Sequence, residues 1–145
     1  MRKLIIILWF TSLFATDDNA PLQRTRDREV DIHHIKIDVA IDLESKSVSG
    51  YVIHTLSAFH SELTSFSLDA EDMEIRRARL NGKDIAFDQI GKKVYLTLNK
   101  AIAWEDTVKV RLDYTAHPRK GTFFIIPDST YSEKPWQAWT QGEDT

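Results

Sequence analysis

The sequence predicts an all-β fold, and three observations lead to that prediction. Apolar residues alternate with polar ones over several short segments, which is the pattern of strands that bury one face. Turn-forming residues separate these segments, among them the pair Asn81-Gly82. Beyond the N-terminal leader, no window of about eleven residues or more sustains a period near 3.6, so no amphipathic helix is expected there.

The first predicted hairpin begins at Ile35. Apolar side chains occupy every second position from Ile35 to Leu43, and polar or charged ones fill most of the positions between them. This pattern is typical of a half-buried strand with one face in water. Residues 44–46 are polar enough for a turn, and alternation resumes from Val48 to Leu56, so the two strands are expected to pair antiparallel.

The remaining strands are predicted from the same alternation and from the turns between them. Asn81-Gly82 is a strong hairpin signal because both residues tolerate the positive φ of a type I′ turn. Residues 89–92 and 104–107 are further predicted turns. The strands lie near residues 66–70, 75–80, 85–87, 94–98 and 108–114. Strands this short and this evenly spaced favour an antiparallel sandwich or a large curved sheet.

The first twenty residues are predicted to lie outside the fold. Arg2 and Lys3 precede an apolar stretch over residues 4–15, and the polar residues 16–19 follow it. This is the layout of a secretory signal peptide, and the apolar stretch is shorter than the roughly 20 residues that a membrane span needs.

We therefore expect a signal peptide over residues 1–20 and a folded domain over residues 21–145. Cleavage is expected near Ala15 or Ala20. The protein would be exported, periplasmic or extracellular, and free of the membrane after cleavage. The alternative is an uncleaved N-terminal anchor helix, because the two kinds of segment look alike in sequence.

Composition narrows the classes of function. The chain has 145 residues with 19 Lys and Arg against 22 Asp and Glu, a net charge of −3, and no basic run. Nucleic acids and anionic membranes are therefore not expected partners. Cysteine is absent, which excludes disulfides, thiolate catalysis and zinc held by cysteine.

Most of the candidate chemical groups favour an ordinary surface role. His33 and His34 are adjacent, so in a strand they point to opposite faces and are poorly placed to share one metal ion. The carboxylates Asp38, Asp42 and Glu44 are spaced to share one strand face, which is more typical of a solvated surface than of an acid–base pair. The sequence contains neither a His-Glu-x-x-His zinc motif nor a Gly-x-Ser-x-Gly elbow.

The C-terminal segment offers the best candidate site. Trp139, Gln141 and Glu143 are alternate residues, so an extended backbone would project all three to one side. A carboxylate placed in this way can bind an ammonium group, and a neighbouring amide can orient a substrate. The alternative is a chain end that is simply solvated.

Four segments in order resemble the N-terminal domain of the M1 zinc aminopeptidases, the aminopeptidase N type. Residues 31–42 are similar to that family's first long strand, 45–50 to its first hairpin, and 113–124 to a late strand and turn. Residues 137–143, Gln-Ala-Trp-Thr-Gln-Gly-Glu, are similar to the loop that approaches its active site.

The resemblance implies a saddle-like β-domain that precedes a catalytic domain with a single zinc ion. Glu143 matches the glutamate that helps to hold the free α-amino group of the peptide substrate, and Gln141 matches a residue that lines the pocket for the first side chain. The family's catalytic motifs do not occur in this sequence, so no catalytic residue, metal ligand or cofactor is assigned to it. The expectation is an N-terminal fragment, inactive alone, whose partners are the missing catalytic domain and, through the full-length enzyme, peptide N termini.

A second hypothesis stays open at this point. An exported β-module could stand alone and bind a partner without catalysis, and the aromatic residues Trp136 and Trp139 favour this interpretation because flat rings form binding platforms.

Overall fold

The described part of the protein is built entirely from β-strands. The computed structural model describes residues 28–59 and 62–141. The predicted signal peptide over residues 1–20 lies outside this part, and the described residues contain no helix that could span a membrane. In chain order the strands are β1 (Val30–Asp42), β2 (Ser47–Ala58), β3 (Leu63–Asp69), β4 (Met73–Leu80), β5 (Lys83–Asp84), β6 (Ala86–Ile90), β7 (Lys93–Ile102), β8 (Val108–Ala116), β9 (Thr122–Ile125) and β10 (Gln137–Thr140).

The strands form two sheets and a separate ribbon. The larger sheet has the order β1-β2-β8-β4-β5, and the smaller has the order β3-β7-β6. Strands β9 and β10 pair only with each other among the described strands. All of these pairings are antiparallel, which confirms the predicted all-β, antiparallel fold class.

One apolar core lies between the two sheets. Its largest fully buried side chains are Leu56 from β2, Val110 from β8, and Val94 and Leu96 from β7. Burial of each such side chain contributes about 1.5–3 kcal/mol. The inward residues of β7 and β8 occupy every second position, as the sequence predicted for a sandwich.

Two of the predicted turns can be compared directly with the structure. Asn81 and Gly82 have φ angles of 49° and 85° and connect β4 to β5, so the predicted hairpin turn is confirmed. The turn predicted over residues 89–92 is shorter than expected, because β6 continues to Ile90 before Gly91 turns the chain at a φ of 60°.

The burial predicted for β1 is wrong. The strand exists and pairs with β2 along its length, but Ile35, Ile37 and Ile41 are 48%, 63% and 52% exposed. The core takes residues from β2, β4 and β8 of the larger sheet, whereas β1 adds only the partly buried Val30. The smaller sheet has three strands against five, so it leaves the end of the larger sheet at β1 uncovered.

Candidate functional site

Among the described residues of the candidate site, Trp139 lies on the β9–β10 ribbon and Gln141 directly follows it. Trp139 is directly opposite Phe123 in the register of the two strands. Their rings stack with centroids 4.2 Å apart and an interplanar angle of 17°. Both rings remain partly in water, with Phe123 39% and Trp139 44% exposed. The ribbon therefore presents an aromatic pair on one of its faces.

Gln141 continues this ribbon by one position. Its backbone N–H donates to the carbonyl oxygen of Gly121 at 3.0 Å, so the pairing extends past the end of β10. The alternation of side chains puts Gln141 on the same face as Trp139. Opposite Gln141, Gly121 has no side chain, and its φ of 74° favours glycine. Gln141 is an exposed residue at the end of the aromatic pair. Glu143 lies outside the described residues.

An ion pair fixes the segment that leads into the ribbon. Arg119 donates from Nε and Nη2 to the Asp72 carboxylate at 2.6–3.2 Å. The backbone N–H of His117 also donates to the carbonyl oxygen of Asp72 at 3.2 Å. The hydrogen bonds from Arg119 hold the pKa of Asp72 below its ordinary value. Asp72 follows β3 and precedes β4, so these contacts tie the start of the ribbon to the turn between two core strands.

The loop between β9 and β10 is organised by Asp128. Its side chain accepts from Lys134 Nζ at 2.5 Å and from the backbone N–H groups of Thr130 and Tyr131, each at 2.9 Å. The ion pair with Lys134, followed by the two backbone donors, lowers the pKa of Asp128. The loop over residues 128–134 thus has a local fold that returns the chain to β10.

The other sequence candidates have structural roles. His33 lies at an irregularity of β1, and its Nε2 is 2.9 Å from Ser57 Oγ. Asp38 accepts from Tyr51 Oη at 2.9 Å across the β1–β2 pair. Asp42 accepts from the backbone N–H groups of Glu44 and Ser45 and closes the hairpin turn. Glu44 lies in that turn, so the prediction that it shares a strand face with the two aspartates is wrong.

Sequence reasoning missed His54. This residue of β2 lies on the inner face of the larger sheet, in the row of Val52 and Leu56, and burial lowers its pKa. Its Nδ1 is buried without a hydrogen-bond partner. The only sequence signal for its burial was its position in the alternating apolar row of β2, between Val52 and Leu56.

The described residues do not fit a zinc site. No three His, Asp or Glu side chains within residues 28–59 and 62–141 come close enough to hold a metal ion together. A zinc ion of the kind found in M1 enzymes would need ligands from outside these residues.

The fold and the sequence both have relatives among the M1 zinc metallopeptidases. The structure of an M1 zinc metallopeptidase variant from Deinococcus radiodurans, bound to a Tyr-Ser-Ala substrate, is 26% identical and superposes with a TM-score of 0.56 over 64% of this chain and 22% of that one. Native leukotriene A4 hydrolase from Saccharomyces cerevisiae, at 12% identity, shares the fold with a TM-score of 0.56 over 68% of this chain and 17% of its own.

A curated relative agrees with these structures. Leucine aminopeptidase 2-1 from Scheffersomyces stipitis is 29% identical over 73 residues, which are 50% of this chain and 12% of the relative. No protein-family model matches the sequence. The chain spans about a fifth of the length of the two solved structures and about an eighth of the curated relative. In fold, and in sequence over half of its length, the chain is similar to an N-terminal β-domain of the M1 zinc metallopeptidases.

Proposed function

We propose that this chain is the N-terminal domain of an exported zinc aminopeptidase and that it supplies Gln141 and Glu143 to the binding of a peptide's N-terminal residue. The remainder of such an enzyme would carry the zinc ion and the catalytic residues. The domain alone would be inactive. The observation that carries the proposal is the ribbon, whose pairing extends through a backbone hydrogen bond from Gln141 to Gly121 and puts Gln141 on the same face of the ribbon as Trp139.

The alternation along the ribbon extends the argument to Glu143. If the backbone stays extended for two more residues, the Glu143 carboxylate lies on the same side as Gln141 and Trp139. A carboxylate there would pair with an α-ammonium group, which distinguishes a chain end from an internal peptide bond. The related structure from D. radiodurans contains a tripeptide substrate, which supports a peptide as the ligand class.

The proposal is tested on the longest polypeptide that can be expressed from the same gene. We expect it to release the first residue of aminoacyl amides, to lose this activity with a zinc chelator, and to leave N-acetylated substrates intact. Glu143→Gln should lower kcat/KM by about 30-fold or more, because it removes one partner of a charge pair in the site. Glu133→Gln, an exposed residue of the β9–β10 loop, is the matched control and should leave kcat/KM unchanged.

The same preparation tests inactivity and export. Residues 21–145 alone should bind no zinc and cleave no substrate, and activity in this segment would contradict the proposal. N-terminal sequencing of secreted protein should find a new N terminus after Ala15 or Ala20. Retention of Met1 on membrane-bound protein would support the anchor helix instead.

The exposed stack of Phe123 and Trp139 also favours the second candidate, a stand-alone binding module. Exposed aromatic rings of this kind can pack against the C–H faces of sugar rings. Tight carbohydrate binding that is lost in Trp139→Ala, in a gene product without peptidase activity, would favour this candidate over the first.

A further inference from the structure

Strand β1 is an open edge of the larger sheet. It pairs with β2 on one side, and no described strand pairs with its other side. The strand is 13 residues long, which is a long unprotected edge for a strand of a globular domain. Within residues 28–59 and 62–141, no strand uses the backbone N–H and C=O groups along this edge, so they could pair with a further strand.

The inner face of β1 is apolar and exposed. Ile35, Ile37, Val39 and Ile41 lie on this face, and between 43% and 63% of each side chain is accessible. A cleft of about 380 Å³ runs beneath the first two of them, between the larger sheet and the end of β3. Exposed apolar surface that is continuous with a core is typical of an interaction surface rather than of a free edge.

The outer face of β1 carries opposite charges two residues apart. Lys36 and Asp38 are both exposed, and they point away from the isoleucines. An antiparallel copy of β1 related by a two-fold axis at Ile37 places Lys36 of each copy opposite Asp38 of the other. An axis at Asp38 instead places two carboxylates face to face. Charge therefore selects the axis at Ile37 between these neighbouring registers.

We propose that β1 binds β1 of a second copy, antiparallel and about a two-fold axis at Ile37. The axis is perpendicular to the sheet, so the two apolar faces lie on the same side and become continuous. Ile37 then lies opposite its own copy, and Ile35 lies opposite Val39.

The association closes at two copies. The opposite edge of the larger sheet is formed by β5, a strand of only two residues, and by the part of β4 that β5 does not cover. Hydrogen bonds with the Gln89 side chain and the Ile85 backbone already use backbone groups of β4, so this edge is poorly suited to adding a third copy in the same way. A two-fold pairing through β1 uses its one edge completely, so a dimer and not a fibre is expected.

The test measures sedimentation equilibrium of the chain purified after secretory expression, over a range of concentrations and salt. We expect a monomer–dimer equilibrium that weakens as salt rises. Lys36→Glu and Asp38→Lys should each weaken the dimer roughly tenfold, because each reversal makes two symmetry-related pairs repulsive. The double variant Lys36→Asp with Asp38→Lys restores both pairs and should restore the dimer.

Two controls separate the charge effect from folding. Tyr51→Phe removes the hydrogen bond that Asp38 accepts, so it reports how far loss of that bond alone changes the association. Thermal unfolding of each variant reports whether the domain is folded. A monomer at all concentrations, larger aggregates, or a double variant no better than the singles would each overturn the proposal. The first of these results would leave β1 to another partner, such as the remainder of the proposed enzyme.

Discussion

Trp139 stacks on Phe123 directly across the β9–β10 ribbon, with 4.2 Å between the ring centroids. The ribbon has only two strands, and an isolated two-stranded ribbon is marginally stable in water. The stacked pair and the ion pair at Asp72 therefore support the backbone hydrogen bonds of the ribbon in keeping Gln141 in position.

Removing the stack should loosen the end of the ribbon. In Trp139→Ala, the stacking contribution of about 0.5–1.5 kcal/mol is lost. The backbone amide of Gln141, which donates to the carbonyl oxygen of Gly121, should therefore exchange its hydrogen faster. Hydrogen exchange measured by NMR checks this. Trp104→Ala, at the exposed bend before β8, is the control and should leave that amide unchanged. Equal exchange rates in the two variants would show that the stack does not hold the ribbon.

The ion pair between Arg119 and Asp72 should make stability depend on pH. Because the folded-state pKa of Asp72 is lowered by Arg119, its stabilising contribution is present above the unfolded value of 3.8 and is lost as pH falls through the folded value. Asp72→Asn should therefore lower Tm at pH 7, and the difference from the original chain should shrink below pH 3.8.

A carboxylate of the smaller sheet provides the comparison for this pH effect. Asp88→Asn, on the exposed strand β6, changes the same chemical group away from the ribbon and should cost less at pH 7. A Tm difference for Asp72→Asn that stays constant with pH would contradict the electrostatic explanation.

Local chemistry explains which parts of the fold the sequence predicted. Asn81-Gly82 and the alternation in β7 and β8 depend on neighbouring residues only, so they could be recognised without knowing the partners. The pairing of Phe123 with Trp139 joins segments separated by the whole β9–β10 loop, and no local signal specifies it. The exposure of Ile37 likewise depends on how far the smaller sheet reaches, which the pattern within β1 does not contain.

For the candidate site, the sequence could predict only which side chains share one side of an extended backbone. The spacing of Trp139 and Gln141 placed both on one side of an extended chain, and the ribbon places them so. The sequence could not predict the backbone hydrogen bond from Gln141 to Gly121 or the ion pair between Asp72 and Arg119. Both contacts depend on the tertiary structure. The role of Glu143 stays a prediction.

Gly50 should be intolerant of any side chain. It lies opposite Val39 in the β1–β2 pair, and a Cβ atom added there would come within 2.1 Å of the Asp38 carbonyl oxygen. Gly50→Ala should therefore separate the two strands locally and destabilise the domain by more than the roughly 1–3 kcal/mol of backbone strain alone. Chemical denaturation measures this free energy of unfolding.

The matched control for this substitution is Gly91→Ala. Gly91 also has a positive φ, but nothing lies within 4 Å of an added Cβ atom. It should show only the conformational cost of about 1–2 kcal/mol. An equal loss in the free energy of unfolding for the two variants would contradict this expectation, because it would show that the strands accommodate the added Cβ atom at Gly50 at no extra cost.

Asp113 should contribute more to stability than Asp84, although both pair with arginine. The Asp113 carboxylate accepts from Arg79 at 2.6 Å and from Arg111 at 2.6 Å, and its side chain is only 20% accessible. Arg111 also lies over the Tyr51 ring, at 3.6 Å from its centroid. When Asp113 is removed, the two guanidinium groups lose their acceptor, and water has little access to replace it. We therefore expect Asp113→Ala to lower Tm by about 4–8 °C.

The ion pair between Arg77 and Asp84 has similar N–O distances but is more exposed to solvent. Its side chains are 54% and 62% accessible, so water replaces the lost bonds in Asp84→Ala, and salt screens the attraction. Thermal unfolding of both variants at low and high salt checks the difference. A Tm loss in Asp84→Ala as large as that in Asp113→Ala would show that bidentate geometry, and not access to water, determines what these pairs contribute.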